Sequence, residues 1–365
     1  MERPASSNSV RRAVRVAIVI LLVVVGVWSV SKHRKSPPDN AATAVHSFAG
    51  ETMGTSYSVK VCVAAEDWAG IEGRIADAVA RELDLVNARM STWRDDSELS
   101  RFNQSDGAEP FPVSEETLAV FNVARAVSEV SNGEFDITVG PLVNAWGFGP
   151  DERSMEGPDD ATLAALRQRV GFKLVEIDEA NRTLRKARPD IYCDLSAVAK
   201  GYGVDRVAEA LDALGISSYM VEVGGEVRTR GAKGDGPWRI GIERPVSEAR
   251  ALQEVLHMPP DGIALATSGD YHNFYMVDGV RLSHTIDPRT GRPIAHNLAS
   301  ASVLAPTCAE ADAFATALMV LGPDEGYDLA CTLDLKALLI VRDAPETFSE
   351  RMTPAWEACG IMHAE

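Results

Sequence analysis

YCDLSAVAKGYG, residues 192–203, runs from an apolar approach at Ile191 into a helix. Beyond it Val204, Val207, Ala208, Leu211 and Leu214 recur at helical spacing, and Gly215 stands where a helix turns out. A strand end, a turn of small residues and a helix start thus carry Asp194, Ser196 and Lys200 within seven positions. A helix start presents unpaired N–H groups and positive potential, which suits anionic oxygens. Lys200 adds a mobile cation, and Asp194 an acceptor or a metal-facing carboxylate. The stretch reads as a phosphate-handling corner. Taken alone, it reads equally well as a capped helix with an exposed lysine.

Downstream, residues 219–223 and 227–230 flank Gly224-Gly225 as strand, turn and strand. Residues 238–242 and 263–267 are strand-like, and 274–277 with 280–284 flank Asp278-Gly279, the clearest hairpin signal. A strand over 298–304 precedes Thr307, three residues before Glu310, a capping box opening a helix to Leu321. A late strand covers 336–341. Upstream, Tyr57, Val59, Val61 and Val63 alternate as a half-buried strand, after a turn at Met53-Gly54-Thr55. Ile71, Ile75, Val79, Leu83, Val86 and Met90 step by three or four, an amphipathic helix. Residues 90–103 are polar and irregular and carry Trp93. Ser114 caps a second helix that stops at Asn132-Gly133, and residues 134–150 suit a packed loop near a ligand. A short helix around Leu163 and Leu166 ends at Gly171, and a hairpin joins 174–178 to 183–185. Hairpins outnumber strand–helix–strand units. The fold class is therefore α+β, with largely antiparallel sheets and packed helices.

The 365 residues carry a formal net charge of −17 at pH 7, unevenly placed. Residues 1–35 hold seven of the 36 Lys/Arg and one of the 53 Asp/Glu, so the remainder is more acidic still. Such a body lacks the basic clusters that neutralise nucleic-acid phosphates, and nucleic acid is excluded as a partner. An anionic ligand needs a metal ion or helix termini to offset the repulsion. Five cysteines without a CxxC pair give neither a disulfide framework nor a zinc site.

Residues 16–31, VAIVILLVVVGVWSVS, are uncharged and flanked by basic residues on both sides. Sixteen residues are long for a signal-peptide core and short for a membrane span. With no small-x-small cleavage site close behind and no lipobox cysteine, residues 1–35 are expected to form an uncleaved N-terminal hydrophobic anchor helix. Residues 36–46 read as a linker and 47–365 as the globular domain.

Two further constellations carry chemistry. Asp312 and Thr316 lie four apart on one face of an otherwise apolar helix. A carboxylate and a hydroxyl one turn apart suit a hard cation such as Mg²⁺, which keeps waters or ligand oxygens. A polar stripe is the alternative, but a buried Asp without a cation or donor is costly. His284 follows a strand directly and precedes the turn at Asp287-Pro288; imidazole is suited to moving a proton near neutral pH, and a structural histidine is the alternative. Residues 134–136, Glu-Phe-Asp, read equally as a ring-holding segment or a structural loop. No GxGxxG, P-loop, HExxH or GxSxG motif occurs.

Together, MGTSYSV (53–59), MSTWRDDSELSRFN (90–103), EFDITVGPLVNAWGFG (134–149), CDLSAVAKGYGVDRV (193–207), VEVGGEVR (221–228), ATSGDYHNFY (266–275), SHTIDPRTGRP (283–293) and APTCAEADAFATALMVLG (305–322) resemble the ApbE family of FAD:protein FMN transferases. The resemblance implies an ApbE-like fold and a Mg²⁺-dependent cleavage of the FAD pyrophosphate. FMN passes to a Ser or Thr hydroxyl of a target protein, and AMP is released. It further implies FAD contacts from Met53, Trp93, Glu134, Phe135, Asp136, Asp194, Lys200 and Ile286. Asp312 and Thr316 resemble the family's side-chain metal ligands, with main-chain oxygens at Ala197 and Ala315. His284 resembles the base for the attacking hydroxyl. The implied acceptors are flavin-carrying subunits of membrane redox complexes and related exported flavoproteins. That agrees with an anchor in the bacterial inner membrane and a catalytic domain facing the periplasm. An FAD pyrophosphatase and a non-catalytic flavin carrier are the alternatives.

Overall fold

The computed structural model describes residues 43–150, 157–246, 252–270, 274–277, 280–344 and 346–361. The expected anchor at residues 16–31 lies outside the described residues. Among the described residues, no helix is long and apolar enough to cross a membrane.

The first described elements are β1 (Thr43–Thr52) and β2 (Thr55–Ala64), so residues 43–46, read as linker, are strand. Then follow α1 (Ala65–Met90), α2 (Glu98–Gln104), the short β3 (Phe111–Pro112) and α3 (Glu115–Val130). Residues 134–150, expected to be a packed loop, instead hold a 3₁₀ turn (Ile137–Val139) and α4 (Gly140–Ala145). Asp136 makes that turn possible: its side chain accepts from Thr138 N, as an N-cap does. After α5 (Asp160–Arg167), β4 (Val175–Asp178) and β5 (Thr183–Lys186) form the expected hairpin, with β3 on its edge. The long helix α6 (Ser196–Ala213) precedes the hairpin β6 (Tyr219–Val223) and β7 (Glu226–Arg230). Its turn needs positive φ, which Gly224 (62°) and Gly225 (104°) supply. Next come β8 (Arg239–Glu243), β9 (Leu252–His257), β10 (Ile263–Gly269), and the pairs β11 (Phe274–Val277) with β12 (Val280–Ser283) and β13 (Ile286–Asp287) with β14 (Arg292–Pro293). The last described elements are β15 (Leu298–Ala305), α7 (Cys308–Leu321), α8 (Glu325–Thr332), β16 (Lys336–Ala344), β17 (Thr347–Met352) and α9 (Pro354–Ala358).

An eight-stranded sheet in the order β1-β2-β6-β7-β10-β15-β16-β17 forms the middle layer, and its β2 to β17 pairings are antiparallel. The period of two divides its side chains between two cores. Ala301, Val303, Ala337 and Leu339 face α7, whereas Leu304, Leu338 and Ile340 meet Trp238 just before β8, Leu256 of β9 and Trp356 of α9. With both faces covered, all eight residues of β15 are buried, and its two serines, Ser300 and Ser302, go in with the apolar side chains. A separate cluster lies between α1, α6 and β2–β6, built on Ile75, Val79, Val204, Leu211, Val59 and Val221. The helices α6 and α7 cross closely over the sheet, and the candidate site lies at that crossing.

Candidate active site

Gly201 sets the distance between α6 and α7. A Cβ there would lie 2.3 Å from the carbonyl oxygen of Cys308 and 2.9 Å from Ala309 N, so the crossing admits only glycine. A second device fixes the angle. Asp205, one turn along α6, accepts from Cys308 N and Ala309 N, each at 2.9 Å, and from Arg228 of β7 at 2.6 Å. A carboxylate at a helix start satisfies orphan N–H groups and meets the positive end of the dipole. Burial pushes the Asp205 carboxyl up, against the pull of these three donors.

This crossing brings Lys200, Asp312 and Glu226 together. Lys200 Nζ lies 3.0 Å from Glu226 Oε1 and 3.4 Å from each Asp312 oxygen. Asp312 is 1% exposed, and its Oδ2 also accepts the Gly201 N–H at 3.0 Å. Desolvation works against the Lys200 ammonium, but Asp312 and Glu226 outweigh it and raise its pKa. Burial, with Asp312 adding to it, pushes the Glu226 carboxyl up, against the pull of Lys200. One turn beyond Asp312, Thr316 Oγ1 is 3.1 Å from Ser268 Oγ at the end of β10. Among the described residues there is no group of three or more His, Cys, Asp or Glu arranged to hold a metal. Ala197 is half-buried in the first turn of α6, and Ala315 is fully buried in α7.

The other expected contacts fall around this crossing in distinct settings. Asp194 accepts from Ser196 N at 2.9 Å and donates its own N–H to Ile137 O at 2.7 Å, which ties the 134–139 segment to the start of α6. Glu134 is buried, and its Oε2 lies 2.7 Å from Arg289 Nε as an ion pair without hydrogen-bond geometry. Burial raises its pKa, and Arg289 opposes that. Arg289 also bonds Asp287, joining the β13 turn to Glu134. Asp136 is occupied: it accepts from Thr138 N, Thr138 Oγ1 and Phe172 N at 2.6–2.8 Å. The Phe135 ring is packed in the core, and its N–H is donated to Ser131 Oγ. Ile286 is likewise buried, against Leu142 and Leu163. Met53 sits at φ 50° in the β1–β2 turn, with its methyl end against Gly203 of α6. Trp93 is 71% exposed, a large apolar surface with nothing packed over most of it. His284 is half-buried with its ring edge-on to Phe148 (6.4 Å), and Phe148 stacks on Tyr275 at 4.6 Å.

Residues 53–339 match the sequence profile of the ApbE family. The chain belongs to the ApbE family. Its relatives include a Vibrio cholerae FAD:protein FMN transferase, 45% identical over 83% of this chain and 89% of that protein. An Escherichia coli K12 protein of the same name is 38% identical over 89% and 92%. Among solved structures, the flavin transferase ApbE from Vibrio cholerae superposes with a TM-score of 0.79 at 43% identity, covering 87% of this chain and 99% of that one. The Pseudomonas stutzeri flavinyl transferase ApbE reaches the same TM-score at 36% identity, over 88% and 98%. The ApbE-like fold of antiparallel sheets and packed helices is thereby established for this chain.

Within this family framework, the sequence reading missed Glu226, Ser268 and Arg289. Each lay inside a quoted motif, yet each reads as an ordinary strand or turn residue. Glu226 alone carried a signal, a charged side chain directly behind a Gly-Gly turn and ahead of alternating strand residues.

Proposed function

We propose that this chain is an FAD:protein FMN transferase that uses Mg²⁺ to move FMN onto a Ser or Thr hydroxyl of a target flavoprotein. The observation that carries it is the convergence of Lys200, Gly201 N and Asp312 at the helix crossing, with Thr316 one turn away. The family membership and the names of the relatives support the same reading.

The donor set fits a hard cation. Asp312 and Thr316 offer oxygen only, and by helix register the i−4 acceptor of the Gly201 N–H is the Ala197 carbonyl. A donor shared with Asp312 leaves that oxygen capacity for a cation, and Ala315 supplies a further main-chain oxygen. Such a site leaves coordination positions for phosphate oxygens. Bound Mg²⁺ supplies charge neutralisation for the diphosphate during transfer. Lys200 adds a cation beside the same oxygens, and Asp194, Glu134 and Asp136 belong to the segments that face the FAD. Met53, Trp93, Phe135 and Ile286 complete the contacts; Phe135 and Ile286 act through main chain, their side chains being in the core. Trp93 supplies an open aromatic face for a ring system. His284 takes the proton of the acceptor hydroxyl. The hydroxyl oxygen then bonds to the FMN phosphorus, the P–O bond to the adenylate breaks, and AMP leaves.

The acceptors are exported or membrane redox-complex flavoprotein subunits. The N-terminal segment holds the enzyme at the bacterial inner membrane with the domain outside.

The test is incubation of the protein with FAD, Mg²⁺ and an acceptor flavoprotein. The expected result is in-gel flavin fluorescence on the acceptor with matching AMP, lost without Mg²⁺ and in Asp312→Ala. AMP without labelled acceptor would reassign the chain as an FAD pyrophosphatase. FAD binding without AMP would make it a carrier.

A further inference from the structure

Lys200 stands between two carboxylates and lies nearer the one outside the proposed metal pair, 3.0 Å from Glu226 against 3.4 Å from Asp312. Glu226 is 3% exposed at the first residue of β7, and its Oε2 has no hydrogen-bond partner among the described residues. An ammonium has three donors and no acceptor, so it settles on whatever carboxylates lie within reach. Without Glu226, the carboxylate left to it among the described residues is Asp312, which it already reaches at 3.4 Å and whose Oδ2 serves the Gly201 N–H. A lysine drawn fully onto Asp312 competes with a cation for the same lone pairs and repels it.

β7 is built to prevent that movement. Arg228 lies two residues along, on the same strand face as Glu226, and reaches Asp205 of α6. Asp205 is in turn fixed by two main-chain N–H groups of α7. The strand therefore meets α6 through two successive ion pairs, and the second holds the first in register.

We propose that Glu226 is a positioning residue that shares the Lys200 ammonium with Asp312, draws it short of a full ion pair there, and so keeps Asp312 open to a divalent cation. The proposal rests on the reading of Asp312 as a cation ligand. In this reading Glu226 contacts neither the cation nor FAD.

The experiment uses the full chain with Mn²⁺ alone as probe, free Mn²⁺ being read by electron paramagnetic resonance. Glu226→Met removes both acceptor oxygens at similar volume, and Mn²⁺ affinity is expected to fall about tenfold or more, as for other groups that orient metal ligands. In Lys200→Met, adding Glu226→Met is expected to change nothing, because no ammonium remains to be held. In the transfer assay, the Glu226→Met defect appears as a raised Mg²⁺ requirement, with the rate at saturating Mg²⁺ near wild type. Wild-type Mn²⁺ affinity in Glu226→Met, with binding abolished in Asp312→Asn, overturns the proposal and leaves the metal reading intact. Equal weakening with and without Lys200 also overturns it, since Glu226 then acts by its own charge. Undiminished binding in Asp312→Asn removes the metal reading and this proposal with it. Where Glu226→Met does not fold, Glu226→Gln takes its place. A neutral oxygen holds the ammonium less firmly, so about threefold weaker binding that vanishes beside Lys200→Met is expected, and no difference overturns the proposal.

Discussion

Gly201→Ala tests the helix crossing on which the site depends. The added Cβ would meet Cys308 O at 2.3 Å, Cys308 C at 2.6 Å and Ala309 N at 2.9 Å, all main-chain atoms of α7. Ordinary contact begins near 3.4 Å, so α6 and α7 must part by about 1 Å at this point. Alanine gains about 1 kcal/mol over glycine in a helix interior, while overpacking costs about 1–3 kcal/mol. Main-chain atoms cannot swing aside, which puts the cost at the upper end and the net loss at about 1–2 kcal/mol. The site suffers more than the fold. The 3.0 Å bond from Gly201 N to Asp312 and the 3.4 Å contacts to Lys200 span the same gap and open with it. A misplacement of about 1 Å costs on the order of 100-fold in rate. The assay pairs urea unfolding with in-gel flavin transfer, and Gly203→Ala serves as the comparison. At Gly203 a Cβ would meet the flexible end of Met53 at 2.8 Å, so that variant should fold and turn over, with any defect in FAD affinity. Gly201→Ala with unimpaired stability and transfer would refute the argument that this crossing positions Asp312.

Asp205→Ala leaves Arg228 and two α7 N–H groups without their partner, and it should cost about 3 kcal/mol or more in urea unfolding; a loss under about 1 kcal/mol would show the network to be incidental. His296 accepts from Leu298 N at Nδ1, so its Nε2 donates to Met319 O at 2.8 Å, and burial lowers its pKa. The neutral ring is therefore the folded form: its contribution is present above about pH 6.5 and is lost as pH falls through the lower folded value. Melting temperatures should drop on that acid side in wild type and less in His296→Gln; parallel curves would dismiss His296. His284→Ala should bind FAD as wild type does and slow transfer about 100-fold or more in single-turnover assays, and an unchanged rate would return His284 to its ring cluster with Phe148.

What the sequence made legible was whatever short-range pattern encodes. Gly224-Gly225, the alternation of β2 and the capping box at Thr307 each mark an element locally, and together they indicated an antiparallel α+β fold. The elements that escaped are those whose stability is not local. The helix α2 buries Glu98, which serves Ser114 N at 2.9 Å and Ser114 Oγ at 2.8 Å, so a polar stretch that reads as loop is helix through a long-range carboxylate. β1 alternates exposed and half-buried positions, but Val45 and Ala49 fall on the exposed side while His46 and Gly50 flank Phe48 on the half-buried one, which hides its period. The site divides in the same way. Lys200, Asp312 and Thr316 were visible because a helix start and an i, i+4 pair are patterns within one element. Glu226 pairs with Lys200 across 26 residues, and Asp312 meets Lys200 across 112. A contact at that separation exists only after the sheet has set β7 beneath the α6–α7 crossing. The chemistry was therefore readable as separate parts, and the balance among them, one ammonium divided between two buried carboxylates, comes from the tertiary fold. If that balance governs cation affinity, changes at Glu226 and Gly201 should alter the Mg²⁺ requirement even though neither supplies a metal ligand.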